Sequence, residues 1–243
     1  MGNNFFTIAI LIFNILLICV YFSKKRVTNF ETTTYKYLVI SNMISSVLAI
    51  GSYLTIKYME YVPVLNEIVS KSLLVSYLIW LLIFTSYLIG VSDKRTFKVN
   101  NIFKTNIIKL ICLMFFVAIS VCPLNYHNEN NIIYSYGIAA NIVYALTFLM
   151  VILWFVIIIK NRKKLLDRKY YPLYGLLIFG TIVVIIQRIK PELLLLTYLI
   201  GFITFLMYFS IENPDIKLIN ELELAKDNLE NANSVKSEFL RSM

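Results

Sequence analysis

One histidine, His127, and three cysteines, Cys19, Cys112 and Cys122, are the residues of this 243-residue chain with the plainest capacity for nucleophilic, metal-binding or proton-transfer chemistry. Their spacing supports little of it. The cysteines are odd in number, stand singly inside apolar runs and form no Cys-x-x-Cys or Cys/His pattern, so they read as small membrane-buried residues. His127 lies in the polar stretch PLNYHNENN at 123–131, where it reads as a solvated loop histidine or a pH-responsive one. No Gly-rich phosphate loop and no acidic metal cluster is present, so the chain carries no catalytic equipment and no cofactor site of its own. The charges are more suggestive. Glu67 and Lys71 are four apart and share one face of a helix, where they can pair. Lys71 stands about a turn inside an apolar run, and charge within a membrane is costly and often functional. Two readings stay open: a lysine that snorkels to the headgroups, paired or not, and an outward-facing ligand pocket shared with Glu67, Gln187 or Arg188.

The elements that must position these groups are apolar. The chain is 59% hydrophobic and 15% charged, against roughly a quarter charged for a soluble domain. Apolar runs occupy 5–22, 37–56, 68–91, 107–122, 132–159, 172–187 and 193–210. With ~20 apolar residues per crossing, the expected fold is all-α: a polytopic seven-helix transmembrane bundle at 1–210, then a cytoplasmic helix at 211–243. No positive charge precedes the first run and no cleavage site follows it, which disfavours a signal peptide. The prolines at 63, 123, 172, 191 and 214 all fall at run ends or in turns, so the broken mid-membrane helices of many transporters are not indicated. Asn14, Asn42 and Asn141 are expected to hydrogen-bond between helices, and the many tyrosines to form interfacial belts.

The formal net charge of +9 does not point to nucleic acid, because the basic residues cluster by loop. One set of loops holds Lys24, Lys25, Arg26, Lys36, Lys94, Arg95, Lys98, Lys104, Lys109 and the run from Lys160 to Lys169. The other set holds only Lys57, Lys71, Arg188 and Lys190. Basic loops stay cytoplasmic. The expected topology is therefore a multi-pass protein of the cell membrane, with its N-terminus outside and its C-terminal helix inside. His127 falls on the outer side. A retinal protein needs a lysine in its seventh span, and 193–210 has none.

The last segment is of another kind. Leu218, Leu222, Ala225, Leu229, Ala232, Phe239 and Met243 alternate at steps of four and three, the repeat of a two-stranded coiled coil. Lys236 occupies a seam position with Val235 one place earlier, a local phase shift. So narrow a stripe needs a partner helix, most simply a second copy in a homodimer. At the junction, Asn213 can cap a helix that Pro214 opens, or one helix runs through with a proline kink.

The final letters, NANSVKSEFLRSM, carry a resemblance. They are similar to the entry of the dimerisation-and-phosphotransfer helix of membrane-bound bacterial sensor histidine kinases, A-N-x-x-K-S-x-F-L-x-x-M, which S-H-E-[IL]-R-T-P follows in that family. Ala232, Asn233, Lys236, Ser237, Phe239, Leu240 and Met243 match, and IENPD leading into LAKD resembles the family's juxtamembrane junction. The resemblance implies a two-component kinase that uses ATP and Mg to phosphorylate its own histidine and passes the phosphoryl group to a response regulator. The phospho-accepting histidine and ATP-binding domain are expected beyond Met243. The chain itself reads as the bilayer-embedded sensing region that relays a stimulus through the dimeric helix. A non-catalytic receptor or scaffold that docks a partner through its coiled coil, or a small transporter component, stands as the alternative.

Overall fold

Apolar runs bounded by proline and charge become helices, and each proline within the described residues lies at or beyond a helix end. The computed structural model describes residues 4–24, 30–92, 106–129, 132–161, 171–190, 193–210 and 214–242. The helices are α1 (Asn4–Ser23), α2 (Phe30–Lys57), α3 (Pro63–Ser92), α4 (Asn106–Val121), α5 (Ile138–Lys160), α6 (Tyr171–Ile189), α7 (Leu195–Ser210) and α8 (Pro214–Ser242). Pro63 and Pro214 each take a first helical position, where the missing N–H costs nothing. Between α4 and α5 the chain forms a hairpin of β1 (Asn125–Glu129) and β2 (Ile132–Tyr136), antiparallel, with His127 opposite Tyr134.

The seven-helix transmembrane bundle expected from the sequence is not what the structure holds. Among the described residues, three helices, α2, α3 and α5, are long and apolar enough to cross a membrane. The apolar stretches Thr7–Ser23, Leu177–Ile189 and Leu195–Phe209 are shorter, below the ~20 residues that the hydrocarbon core requires. Helix α4 has 16 residues, a rise of about 24 Å against a core of about 30 Å. Counting apolar residues overstated the number of spans because such a run measures composition and not helical length. The run 132–159 shows this directly: its first five residues are strand β2. Gly137, at φ 123°, then turns the chain into α5; a Cβ there would approach the Pro123 carbonyl to 3.2 Å.

Helix α3 is central. It packs against α2, α4 and α5, while α1, α2 and α6 gather around α7. Tyr35, Trp80, Phe84 and Tyr87 are fully buried. The Tyr35 hydroxyl donates to the Thr204 carbonyl at 2.6 Å and Trp80 Nε1 to Thr204 Oγ1 at 3.3 Å, tying α2 and α3 to α7. Close approach of α1 and α7 depends on Gly201, where a Cβ would overlap Ile10 and stand 3.4 Å from Asn14 Oδ1. Small residues at helix contacts are the usual device in membranes.

The bundle has an apolar core with polar groups set into it, and an apolar outer surface. Asn14, Asn42, Ser45, Ser46, Ser52, Asn66 and Ser70 are buried, while Ile12, Leu16, Ile44, Leu149, Ile152, Phe179 and Ile182 face outward. Water would expel such a surface; hydrocarbon would not. With three membrane-length helices, this marks a helical protein embedded in a membrane. Asn42 Nδ2 donates to Asn14 Oδ1 at 2.7 Å and Asn14 Nδ2 to Ser46 Oγ, so these asparagines join α1 to α2. Asn141 instead faces outward, and so does Cys19, which is not packed within the bundle.

Candidate functional site

Two cavities lie one above the other along α3 and α7. The lower one, a small cavity between α3, α5, α6 and α7, is lined by Tyr77, Trp80, Leu81, Phe84, Thr147, Val151, Trp154, Leu177, Gly180, Val184, Leu196, Leu199, Ile200 and Ile203. Its aromatic wall is fixed on both sides. Phe84 stacks on Trp80 at 5.1 Å and meets Trp154 edge-on at 4.7 Å. Trp154 Nε1 donates to Thr85 Oγ1 at 2.8 Å, which satisfies the indole.

Its wall is apolar throughout, and a group of polar side chains stands near its Tyr77 end, outside the lining. The Tyr77 hydroxyl and Thr197 Oγ1 share a hydrogen bond, and Tyr144 lies close to Tyr77. Gln187 sits beside Tyr144, buried, and its Oε1 has no hydrogen-bond partner. The upper cavity has Tyr77, which the lower one shares, and Thr197 in its wall. Strand β2 contributes Ile133, Tyr134 and Ser135 to it, and Thr7, Ser52 and Tyr53 add hydroxyls. Leu194, at φ 48°, borders it in a backbone conformation that a leucine rarely adopts.

The expected pocket of Glu67, Lys71, Gln187 and Arg188 divides in two. Lys71 Nζ bonds Glu67 Oε1 at 2.6 Å and the Ser120 carbonyl at 2.6 Å. The second bond satisfies a carbonyl in the last turn of α4, where a cation also suits the helix dipole. Lys71 thus clamps α3 to α4. Among the described residues, no hydrogen bond or ion pair joins this pair to Gln187 or Arg188, which belong to α6; Arg188 is exposed. Beside the clamp, Ser52 and Ser70 share a 2.8 Å bond and Thr55 reaches Asn66 at 3.1 Å. Tyr126 is half-buried, and its hydroxyl, near Ser70, is itself buried without a hydrogen-bond partner. Its pKa is raised above the usual phenol range, first by burial and then by the Glu67 carboxylate.

His127 is not in a turn. It is half-buried on β1 and stacks on Tyr134 at 5.0 Å. Asn128 Nδ2 reaches the Ile56 and Lys57 carbonyls at 3.4 Å, which seats the hairpin on the C-terminus of α2.

At the opposite end of the bundle α7 ends at Ser210, and α8 begins at Pro214. Asn213 and Met243 lie outside the described residues, as do the side chains of Leu218, Phe239 and Leu240. Leu222, Ala225, Leu229 and Ala232 are exposed, as are Lys236 and Ser237. Ile219 and Leu224 add exposed apolar surface off the stripe. Among the described residues, no group of three or more His, Cys, Asp or Glu side chains is placed to hold a metal ion. The sequence reading missed the aromatic cavity. Its signals were Trp80 and Phe84 one turn apart and Gly180 within an apolar helix. No family model, curated protein or solved structure matches this chain, so its function must be read from the two cavities and the terminal helix.

Proposed function

We propose that this chain is the membrane-embedded sensing region of a two-component sensor histidine kinase, 1–210 forming the sensor and 211–243 the signalling helix. One observation carries the reading. Directly after apolar α7 comes a polar helix of 29 residues, α8, exposed at its described side chains and bearing the Lys236-Ser237-x-Phe239-Leu240 pattern. An isolated helix with an apolar stripe calls for a partner, which supports a homodimer through Leu218, Leu222, Ala225, Leu229 and Ala232. ATP, Mg and the response regulator belong to a kinase core whose residues are not among these.

The orientation supported by charge puts the hairpin outside and α8 in the cytoplasm. Thr7 lines the cavity beneath the hairpin, so the N-terminus shares the hairpin side. Lys24, Lys36 and Lys160 stand toward the opposite end; Lys25, Arg26, Lys94, Arg95, Lys98, Lys104, Arg162, Lys163, Lys164, Arg168 and Lys169 lie outside the described residues. A stimulus acting on the bundle moves α8 only by favouring one of two arrangements at the Ser210–Pro214 junction.

Reading the coding sequence past Met243 tests the assignment. S-H-E-[IL]-R-T-P and an ATP-binding domain are expected, with phosphate from ATP appearing on that histidine in the purified full-length protein. A stop codon at that point overturns the kinase reading. Reporter fusions after Asn131 and Lys164 test the orientation; outside and inside are expected, and the reverse rejects it.

A further inference from the structure

We propose that two copies of this chain meet through the outer face of α7, along Tyr198, Phe202, Phe205 and Phe209, with Phe13 of α1 at its flank. This interface deepens the reading of α8 as a self-pairing helix and rests on it.

The short connection between α7 and α8 carries the inference. Paired helices lie about 8–10 Å apart, axis to axis. Helix α7 ends at Ser210 and α8 begins at Pro214, four Cα steps that reach no more than about 15 Å. If the two α8 helices pair from their first turns, the two copies of Ser210 stand within about 40 Å of each other, even with both connections fully stretched. Helix α3 bonds to α7 through Thr204 and packs against α4. A copy docked across α4 would therefore have the depth of both bundles between its α7 and its partner's. At about 10 Å per helix that is up to about 50 Å, beyond reach. A copy docked across α7 itself leaves the two helix ends about 10 Å apart, and no stretching is needed.

The α7 face is open and of one chemistry. Helix α7 packs on α1, α2 and α6. On its remaining side Tyr198, Phe202 and Phe209 are exposed and Phe205 is half-buried. Steps of four, three and four keep them in one stripe. Tyr198 stacks on Phe202 at 6.3 Å; Phe205 lies 4.9 Å from Phe209 and meets Phe13 edge-on at 6.0 Å. Rings already held against one another lose little side-chain freedom when a second copy covers them. Phe209 stands in the last turn before the junction, so the copies approach most closely there.

The experiment places p-benzoylphenylalanine singly at Phe202, Phe209, Phe148, Phe155 and Leu229 of the full chain. Phe148 and Phe155 are exposed on α5, away from α7, and receive the same aromatic exchange. Each variant, its helix content checked by circular dichroism, is irradiated in phosphatidylcholine liposomes at high lipid excess, and covalent dimer is read on a denaturing gel. Phe202 and Phe209 should give several times the dimer that Phe148 and Phe155 give. In the unlabelled chain, Phe202→Ala with Phe209→Ala should weaken self-association about tenfold by energy transfer between labelled copies. Equal yields from the α5 and α7 positions overturn the interface. Dimer from Leu229 with only lipid adducts at Phe202 and Phe209 also overturns it, and leaves the α8 pairing standing. Dimer from Phe202 and Phe209 but none from Leu229 upholds the α7 face and removes the α8 seam. No dimer at any position overturns both.

Discussion

The bundle and α8 are built on opposite plans. In the bundle, amide and hydroxyl groups such as Asn14, Asn42, Ser52 and Asn66 are buried within an apolar core, and further isoleucines and leucines cover the outside. In α8, Glu230, Lys226 and Lys236 face water and the apolar residues form a thin exposed stripe. Each helix follows the solvent it meets. The bundle's exterior is stable where lipid covers it, and its interior must satisfy hydrogen bonds locally because lipid cannot. Three residues, 211–213, separate the two plans, so whatever passes between them goes through the backbone at Pro214.

A single kind of substitution separates the two regions most sharply. Ile152 faces outward near the middle of α5 and Leu229 near the middle of α8. Ile152→Asp should cost about 2.5–3.5 kcal/mol of insertion or stability in lipid. Leu229→Asp should change the folding of one chain by no more than about 0.5 kcal/mol. Unfolding in bicelles reads both, and equal costs would mean that Ile152 does not face lipid. Next in size is Gly201→Val, which drives a side chain into Ile10. About 1–3 kcal/mol of destabilisation is expected, together with loosened α1–α7 packing seen by hydrogen exchange at Asn14. An unchanged exchange rate would remove Gly201 as the cause of that close contact.

The apolar stripe gives a smaller and purely intermolecular effect. Single cysteines at Leu222 and Leu229 should crosslink between copies several times faster than one at Glu230; uniform rates around the helix would dismiss the two-stranded seam. The smallest effect belongs to the Lys226–Glu230 pair, 3.7 Å apart and exposed on both sides. Lys226→Ala should alter α8 helicity by no more than about 0.5 kcal/mol, less in high salt, as circular dichroism would record.

Helix positions were largely legible in the sequence, because Pro63 and Pro214 and the basic clusters mark ends that backbone sterics enforce. The count of membrane-crossing helices was not, since 193–210 and 107–122 look like spans by composition while the helices they form are 16 residues each. The hairpin was hidden for a related reason: Ile132 and Ile133 extend the apolar run of α5 without a break, and only Gly137 signals the change of backbone. The Glu67–Lys71 pair was readable from its four-residue spacing. Its third partner, the Ser120 carbonyl, was not, because backbone acceptors leave no mark in a sequence. The same holds for the cavity, which depends on how four helices separate around Gly180.

The length of α8 also has a mechanical meaning. Twenty-nine helical residues rise about 43 Å at 1.5 Å each. On the signalling role proposed above, such a rod would act as a lever: a tilt of about 5° at Pro214 would sweep the far end sideways by about 4 Å. On that reading, a rearrangement in the bundle too small to disturb its packing would become, at Arg241, a displacement as wide as a side chain.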